Sequence, residues 1–223
     1  MTTVSVVYHT GTGHTGALAE SIATGAGSVA GVTVHLLQIK PDQIGVDGRW
    51  KDDEITALLN ASDAIIFGCP TWMGSVSSTF KAFLEGAFTL WFEQKWKDKF
   101  AGGFTNSASQ SGDKLSTLSQ LSVFAYQMSM IWVSVGDPPG NNQSTRSIND
   151  INRLGSWMGV MSQSNGDQDA TLAPPMSDRQ TGERYGKRVA LIAKRWIKGA
   201  SAYQTEYIKE IGVADAKGWV AES

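Results

Sequence analysis

Short runs of apolar, β-branched residues alternate with longer stretches of helical spacing along the chain. Val4 to Tyr8 is a continuous apolar run ending in glycines, the pattern of a strand buried on both faces. From about Thr15 to Ala26, Leu18, Ile22 and Ala26 recur on one helical face. Val32 to Leu37 is a second strand, and Lys51 to Asn60 a helix with acidic residues in its first turn, where the helix dipole favours them. Asp63 to Gly68 is a third strand running into the loop Cys69 to Gly74. Ser75 to Phe88 opens with capping serines and continues helically through Phe80, Phe83 and Leu84. Phe100 to Thr105, Leu115 to Met128 and Met130 to Val135 then predict strand, helix and strand. Trp157 to Gln163 is a short extension strand, and Arg179 to Ile197 the last long helix. Strands alternating with helices predict βαβ units, hence a doubly wound α/β fold with helices on both faces of a parallel sheet.

Two segments fall outside that rhythm. Residues 136–157 form a Gly/Pro/Asn-rich loop too long for a plain connector, read as an insertion. Residues 199–223 form a tail in which Tyr203, Tyr207 and Ile211 recur every four positions, as in a short amphipathic helix. One domain is therefore expected over residues 1–198, with the tail appended.

Composition narrows the function. With 19 basic and 21 acidic residues the net charge is −2, so no basic field exists to hold nucleic acid or an anionic membrane by counterion release. A single cysteine excludes a disulfide framework or a thiolate cluster, and three scattered histidines suggest no metal site. The N-terminal residues lack the basic and apolar regions of a signal peptide, and no run is long enough to span a bilayer. The expectation is a cytoplasmic globular protein. Its eight tryptophans and 24 glycines, against only 18% charged residues, call for an explanation.

Part of it lies in three loops at the carboxyl ends of strands, where open α/β sheets bind ligands. The first, Thr10-Gly11-Thr12-Gly13-His14-Thr15, places glycines and hydroxyls before a helix N-terminus, a ready anion site. It contains no lysine, which argues against a nucleoside triphosphate, and its spacing fails the dinucleotide fingerprint. A monophosphate fits best. The second loop, Pro70-Thr71-Trp72-Met73-Gly74, offers backbone groups beside an indole and a thioether. The third, Asn106-Ser107-Ala108-Ser109-Gln110-Ser111, offers small hydrogen-bonding groups and no charge. A flat amphipathic heterocycle needs that combination, and a monophosphate joined to a flat ring means FMN. The other candidates have plainer readings: Cys69 as a buried thiol, Asp52 to Glu54 as a helix start, and most tryptophans as core.

Tyr8 to Thr15 resembles the flavodoxin phosphate loop, and the chain up to about Lys198 is similar to the WrbA-type NAD(P)H:quinone oxidoreductases. The resemblance implies a flavodoxin-like five-stranded sheet in the order 2-1-3-4-5. It implies FMN held by the three loops, NADH or NADPH as hydride donor and a quinone-like small molecule as acceptor. No catalytic side chain is expected. A homo-oligomer, dimer or tetramer, is implied, with Trp91 bordering a neighbour's active site. Trp72, Trp91, Tyr126 and Gln127 are the expected walls of the substrate pocket. Where the family commonly has Arg-Phe, this chain has Trp72-Met73, and where histidines stand late in the fourth helix it has Tyr126-Gln127. Loss of the arginine predicts a less stabilised anionic hydroquinone and a lower flavin potential. A flavodoxin-type electron carrier without its own substrate remains an alternative, as does an FMN-dependent reductase of a flavin, azo or nitro compound.

Overall fold

The computed structural model describes the backbone of residues 1–211 and the side chains of residues 1–199. The main strands are β1 (Thr2–Tyr8), β2 (Val32–Gln38), β3 (Ala64–Trp72), β5 (Phe100–Ser107) and β6 (Ile131–Trp132). They pair in the order β2-β1-β3-β5-β6 and run parallel. Two short strands are added: β4 (Ser75–Val76), antiparallel to the end of β3, and β7 (Val160–Gln163), parallel to β5. With β4 set aside, the five expected strands lie in the expected order, and the fold is flavodoxin-like.

Helices α1 (His14–Gly27) and α6 (Met176–Ile211) cover one face; α2 (Asp53–Ala61), α3 (Ser78–Gly86) and α5 (Lys114–Gln127) cover the other, with the short α4 (Phe88–Phe92) beside them. Under α1 and α6 lie Val4, Val6, Ile66 and Phe104; under α2, α3 and α5 lie Val7, Ile65, Phe67 and Ala101. Alternate residues of one strand thus feed opposite cores, as the two-residue period of a strand requires. Fully buried Trp96 packs against Phe67, Phe83 and Phe124, its indole N–H donating to Asn60 Oδ1 at 2.8 Å. With Trp50 also buried, part of the tryptophan surplus is core.

Backbone contact holds α1 to α6. A Cβ on Gly186 would lie 1.9 Å from the Ile22 carbonyl oxygen, and one on Gly25 1.7 Å from that of Glu183. Glycine at both positions lets the helix axes approach to a distance no side chain allows.

The fifth sheet position is split. β6 pairs with β5 only at Phe100 and Ala101, while β7 pairs from Phe104 to Ser107, so residues 133–159 leave and re-enter the same edge. The Tyr185 hydroxyl fills the gap, accepting from the Gly103 N–H at 3.1 Å and donating to the Val133 carbonyl at 2.7 Å. This corrects the fifth strand, expected over Met130 to Val135, of which only Ile131–Trp132 is strand.

Three further boundaries differ. β3 continues through Pro70 to Trp72, because Thr71 and Trp72 pair with Val76 and Ser75 in a hairpin. The expected helix from Ser75 to Phe88 starts at Ser78 and breaks after Gly86, where a Cβ would lie 2.3 Å from the Trp50 carbonyl oxygen. The last helix starts at Met176, just after Pro175, and its backbone runs unbroken to Ile211, so no separate tail helix forms there. The side chains of Tyr203, Tyr207 and Ile211 lie outside the described residues, as does the rest of the tail. Among the described residues no helix is long and apolar enough to cross a membrane.

Candidate functional site

β1 ends at Tyr8, and the chain turns through Thr10 to Gly13 into α1. Gly13, the N-cap, has φ +92°, a left-handed conformation that glycine adopts without penalty. Its N–H donates to Thr10 Oγ1 at 3.0 Å, closing the loop on itself. The N–H groups of His14, Thr15 and Gly16, the first residues of α1, precede the helix's own hydrogen-bond ladder and carry its positive pole. His14 is buried and ties this loop to a distant one, with Nε2 2.7 Å from the Gln168 carbonyl oxygen and Nδ1 3.2 Å from Thr12 Oγ1.

The second and third loops are fastened together beneath the site. Thr71 Oγ1 lies 2.8 Å from both Thr105 Oγ1 and Thr117 Oγ1, and Thr105 donates to the Cys69 carbonyl at 2.7 Å. These buried threonines fix the ends of β3 and β5 relative to α5. Above them Met73, at φ +50°, projects fully into solvent. Trp72 is 46% exposed; its indole lies over the first loop, where a Cβ on Gly11 would be 2.5 Å away. The edge of His9 stands against that indole at a centroid distance of 5.6 Å, and His9 Nδ1 is 2.8 Å from Ser77 Oγ. Burial holds the imidazole pKa down, so His9 is a neutral support. Burial pushes the Cys69 thiol up to about 12, which makes it an inert core group.

The three loops converge on a cavity of about 440 Å³. Gly11, Thr12, His14 and Thr15 line one end, Pro70 to Gly74 and Asn106 to Ser109 the remainder. Thr10 and Gly13 shape the first loop without lining the cavity. Gln110 and Ser111 turn away, into a neighbouring cavity of about 860 Å³ between α5 and the insertion. Trp91 and Gln127 are not brought to the site within one chain; they line a separate apolar groove of about 730 Å³. Tyr126, 57% exposed, lines neither.

Gly112, the end of the polar third loop as read from the sequence, also lines the cavity, and sequence reasoning missed three more lining residues: Asp113, Ser164 and Gly166. The last two come from the loop after β7, which no spacing along the chain linked to the other three. Asn106 shows the link: its Oδ1 accepts from Ser162 Oγ at 2.7 Å and Ser164 Oγ at 2.9 Å. Lys114, one residue before the fourth expected helix and the first of α5, was also missed.

An FMN molecule fits this site. The cavity has a cation-free polar end at a helix N-terminus, an exposed indole and thioether along one wall, and small polar groups around the rest.

The model of the family described as NADPH-dependent FMN reductase matches residues 9–142, the span carrying all three loops. A Pseudomonas aeruginosa protein named flavodoxin FldP is 40% identical over 195 residues, covering 87% of this chain and 98% of that one. An NAD(P)H dehydrogenase (quinone) of Archaeoglobus fulgidus is 31% identical over 209 residues, covering 87% and 99%. A crystal structure described as a flavodoxin, WrbA-like protein from Agrobacterium tumefaciens superposes with a TM-score of 0.65 at 37% identity, covering 87% and 99%. The chain belongs to the NADPH-dependent FMN reductase family and is related within it to the WrbA-type NAD(P)H:quinone oxidoreductases.

Proposed function

We propose that this protein is an FMN-dependent NAD(P)H:quinone oxidoreductase of the cytoplasm. The observation that carries the reading is the convergence of the three βα loops on one cation-free cavity of about 440 Å³. FMN held there would supply two-electron redox chemistry through its N5, in a ping-pong cycle between NADH or NADPH and a quinone whose proton would come from solvent. The protein supplies binding and orientation. Thr12 and Thr15, with the N-terminus of α1 and a loop that Thr10 closes, hold the phosphate without a counter-cation. Trp72, backed by His9, gives the ring an apolar wall, and Asn106 to Ser109 give its rim hydrogen-bonding partners. No side-chain nucleophile or acid–base pair is required.

A homo-oligomer completes the site. Phe88 and Val123, in the groove that holds Trp91 and Gln127, are each more than half exposed, as are Phe92 and Tyr126 beside those residues in the chain. Such an apolar surface is suited to a subunit interface. A second copy there brings Trp91, Tyr126 and Gln127 to a neighbour's acceptor pocket.

Steady-state oxidation of NADH and NADPH by the FMN-loaded protein, with benzoquinone, free flavin, an azo dye and a nitroarene as acceptors, tests the assignment. The quinone is expected to turn over fastest. Bound FMN with no turnover would favour a flavodoxin-type carrier, the reading that the name of the Pseudomonas relative supports. Trp72→Arg is expected to raise the flavin potential by tens of millivolts, roughly the effect of one charge at an effective dielectric constant near 20. Potentiometric titration checks this, and no rise would contradict the role given to residue 72.

A further inference from the structure

Lys114 is the first residue of α5, and its side chain is completely buried. Consecutive left-handed residues, Gly112 at φ +53° and Asp113 at φ +54°, turn the chain sharply just before it. That turn folds the ammonium back under the third loop. Its Nζ donates to Ser107 Oγ at 2.9 Å and to the carbonyls of Ser109 and Gln110 at 2.7 Å each. Three protons meet three oxygens, so the loop closes around the lysine as a ring of donors' partners. Two of those oxygens belong to residues whose other side lines the ligand cavity, Ser107 and Ser109.

No lysine or arginine lines the cavity itself. Behind the loop, Arg153 is engaged by Asp178, Nε to Oδ1 at 2.7 Å and Nη2 to Oδ2 at 2.8 Å, which cancels its charge. Asp178 also accepts from the Gln163 N–H at 2.9 Å, and Gln163 Nε2 donates to the Ala108 carbonyl at 2.9 Å. The charged groups facing Lys114 are therefore Asp178 of α6, Arg153 of the insertion and its neighbour Asp113. No carboxylate forms an ion pair with its ammonium among the described residues. Three neutral oxygens, rather than a carboxylate, therefore offset the cost of burying this cation.

We propose that Lys114 is a positioning residue for the flavin: it holds the third loop in its ring-binding form and supplies positive charge behind the ring. This rests on the FMN reading above. Burial pushes the lysine down to about 8, with Arg153 lowering it further and Asp178 opposing. An anionic ligand raises that pKa again, so binding takes up a proton wherever the free protein's lysine is partly neutral. FMN affinity accordingly falls as the pH rises through about 8.

The test measures FMN dissociation constants by fluorescence quenching from about pH 7 to about pH 9, for the wild type and the Lys114→Met and Lys114→Arg variants. Potentiometric titration of each loaded protein accompanies it. Lys114→Met is expected to weaken FMN by at least about tenfold, as loss of charge-assisted hydrogen bonds implies. It should also flatten the pH dependence and shift the flavin potential negative. Lys114→Arg, which keeps the charge, should hold the potential near the wild-type value even where its larger head group loosens the loop. Thermal melts of the ligand-free variants separate an unfolded protein from a weakened site; if Lys114→Met does not fold, the wild-type pH profile and the arginine variant's potential decide. Wild-type protein that binds FMN with no fall in affinity up to pH about 9, and an arginine variant with a strongly shifted potential, overturn the proposal and leave the FMN reading standing. Wild-type protein that binds no FMN overturns both.

Discussion

Gly13→Ala is expected to raise the FMN dissociation constant by about five- to thirtyfold, because the left-handed φ of +92° at this N-cap costs a residue with a Cβ roughly 1–2 kcal/mol. The new methyl would also lie 2.9 Å from the Ala170 Cβ, so the loop after β7 must shift. That loop holds His14 through the Gln168 carbonyl, so strain at Gly13 reaches both walls of the phosphate end. Fluorescence titration of wild type and variant checks this, with a melt of the ligand-free proteins to confirm that the fold persists. An unchanged dissociation constant would show that the helix N-terminus is not where the phosphate sits.

The largest expected effect on stability lies at the crossing of α1 and α6. Gly186→Val would drive a branched side chain into the Ile22 carbonyl, 1.9 Å from the position of the new Cβ. Backbone cannot yield as a side-chain tip can, so the helices must separate and open the core beneath them at Leu18, Ile22 and Val189. Overpacking of this kind costs about 3 kcal/mol or more. Urea unfolding should show the midpoint falling accordingly. A midpoint within error of the wild type would mean that the helices do not approach this closely.

What was legible in the sequence depended on how local the physics was. The turn from β1 into the N-terminus of α1 could be read because glycine and threonine before a helix act within six consecutive residues, Thr10 to Thr15. The strand order followed from alternating elements and the resemblance at Tyr8 to Thr15. Tertiary relations were not visible. Pro70 to Trp72 reads as a loop until Val76 and Ser75 are known to pair back on it. The split edge strand depends on Tyr185, more than 50 residues from the carbonyl of Val133 that its hydroxyl reaches. Ser164 joins the site through Asn106 and Ser107, 58 and 57 residues earlier. Lys114 drew no reading at all, since nothing in Asp113-Lys114-Leu115 reveals that Gly112 and Asp113 fold the chain beneath its own loop.

The tryptophans divide along the same line. Trp50 and Trp96 are core, and the Trp132 indole donates to the Met158 carbonyl across the split strand at 2.7 Å. Trp72 stands at the ligand cavity and Trp91 in the apolar groove, the two positions that loop and helix placement had set apart.

The proposed function requires FMN in the three-loop cavity, relaying electrons from NAD(P)H to a quinone. An anaerobic absorption titration of protein incubated with FMN and freed of excess puts this to the test. The expected result is a yellow protein that bleaches on addition of NADH or NADPH and regains its colour when benzoquinone follows. A protein that stays colourless, or one whose bound flavin neither nicotinamide reduces, would contradict it.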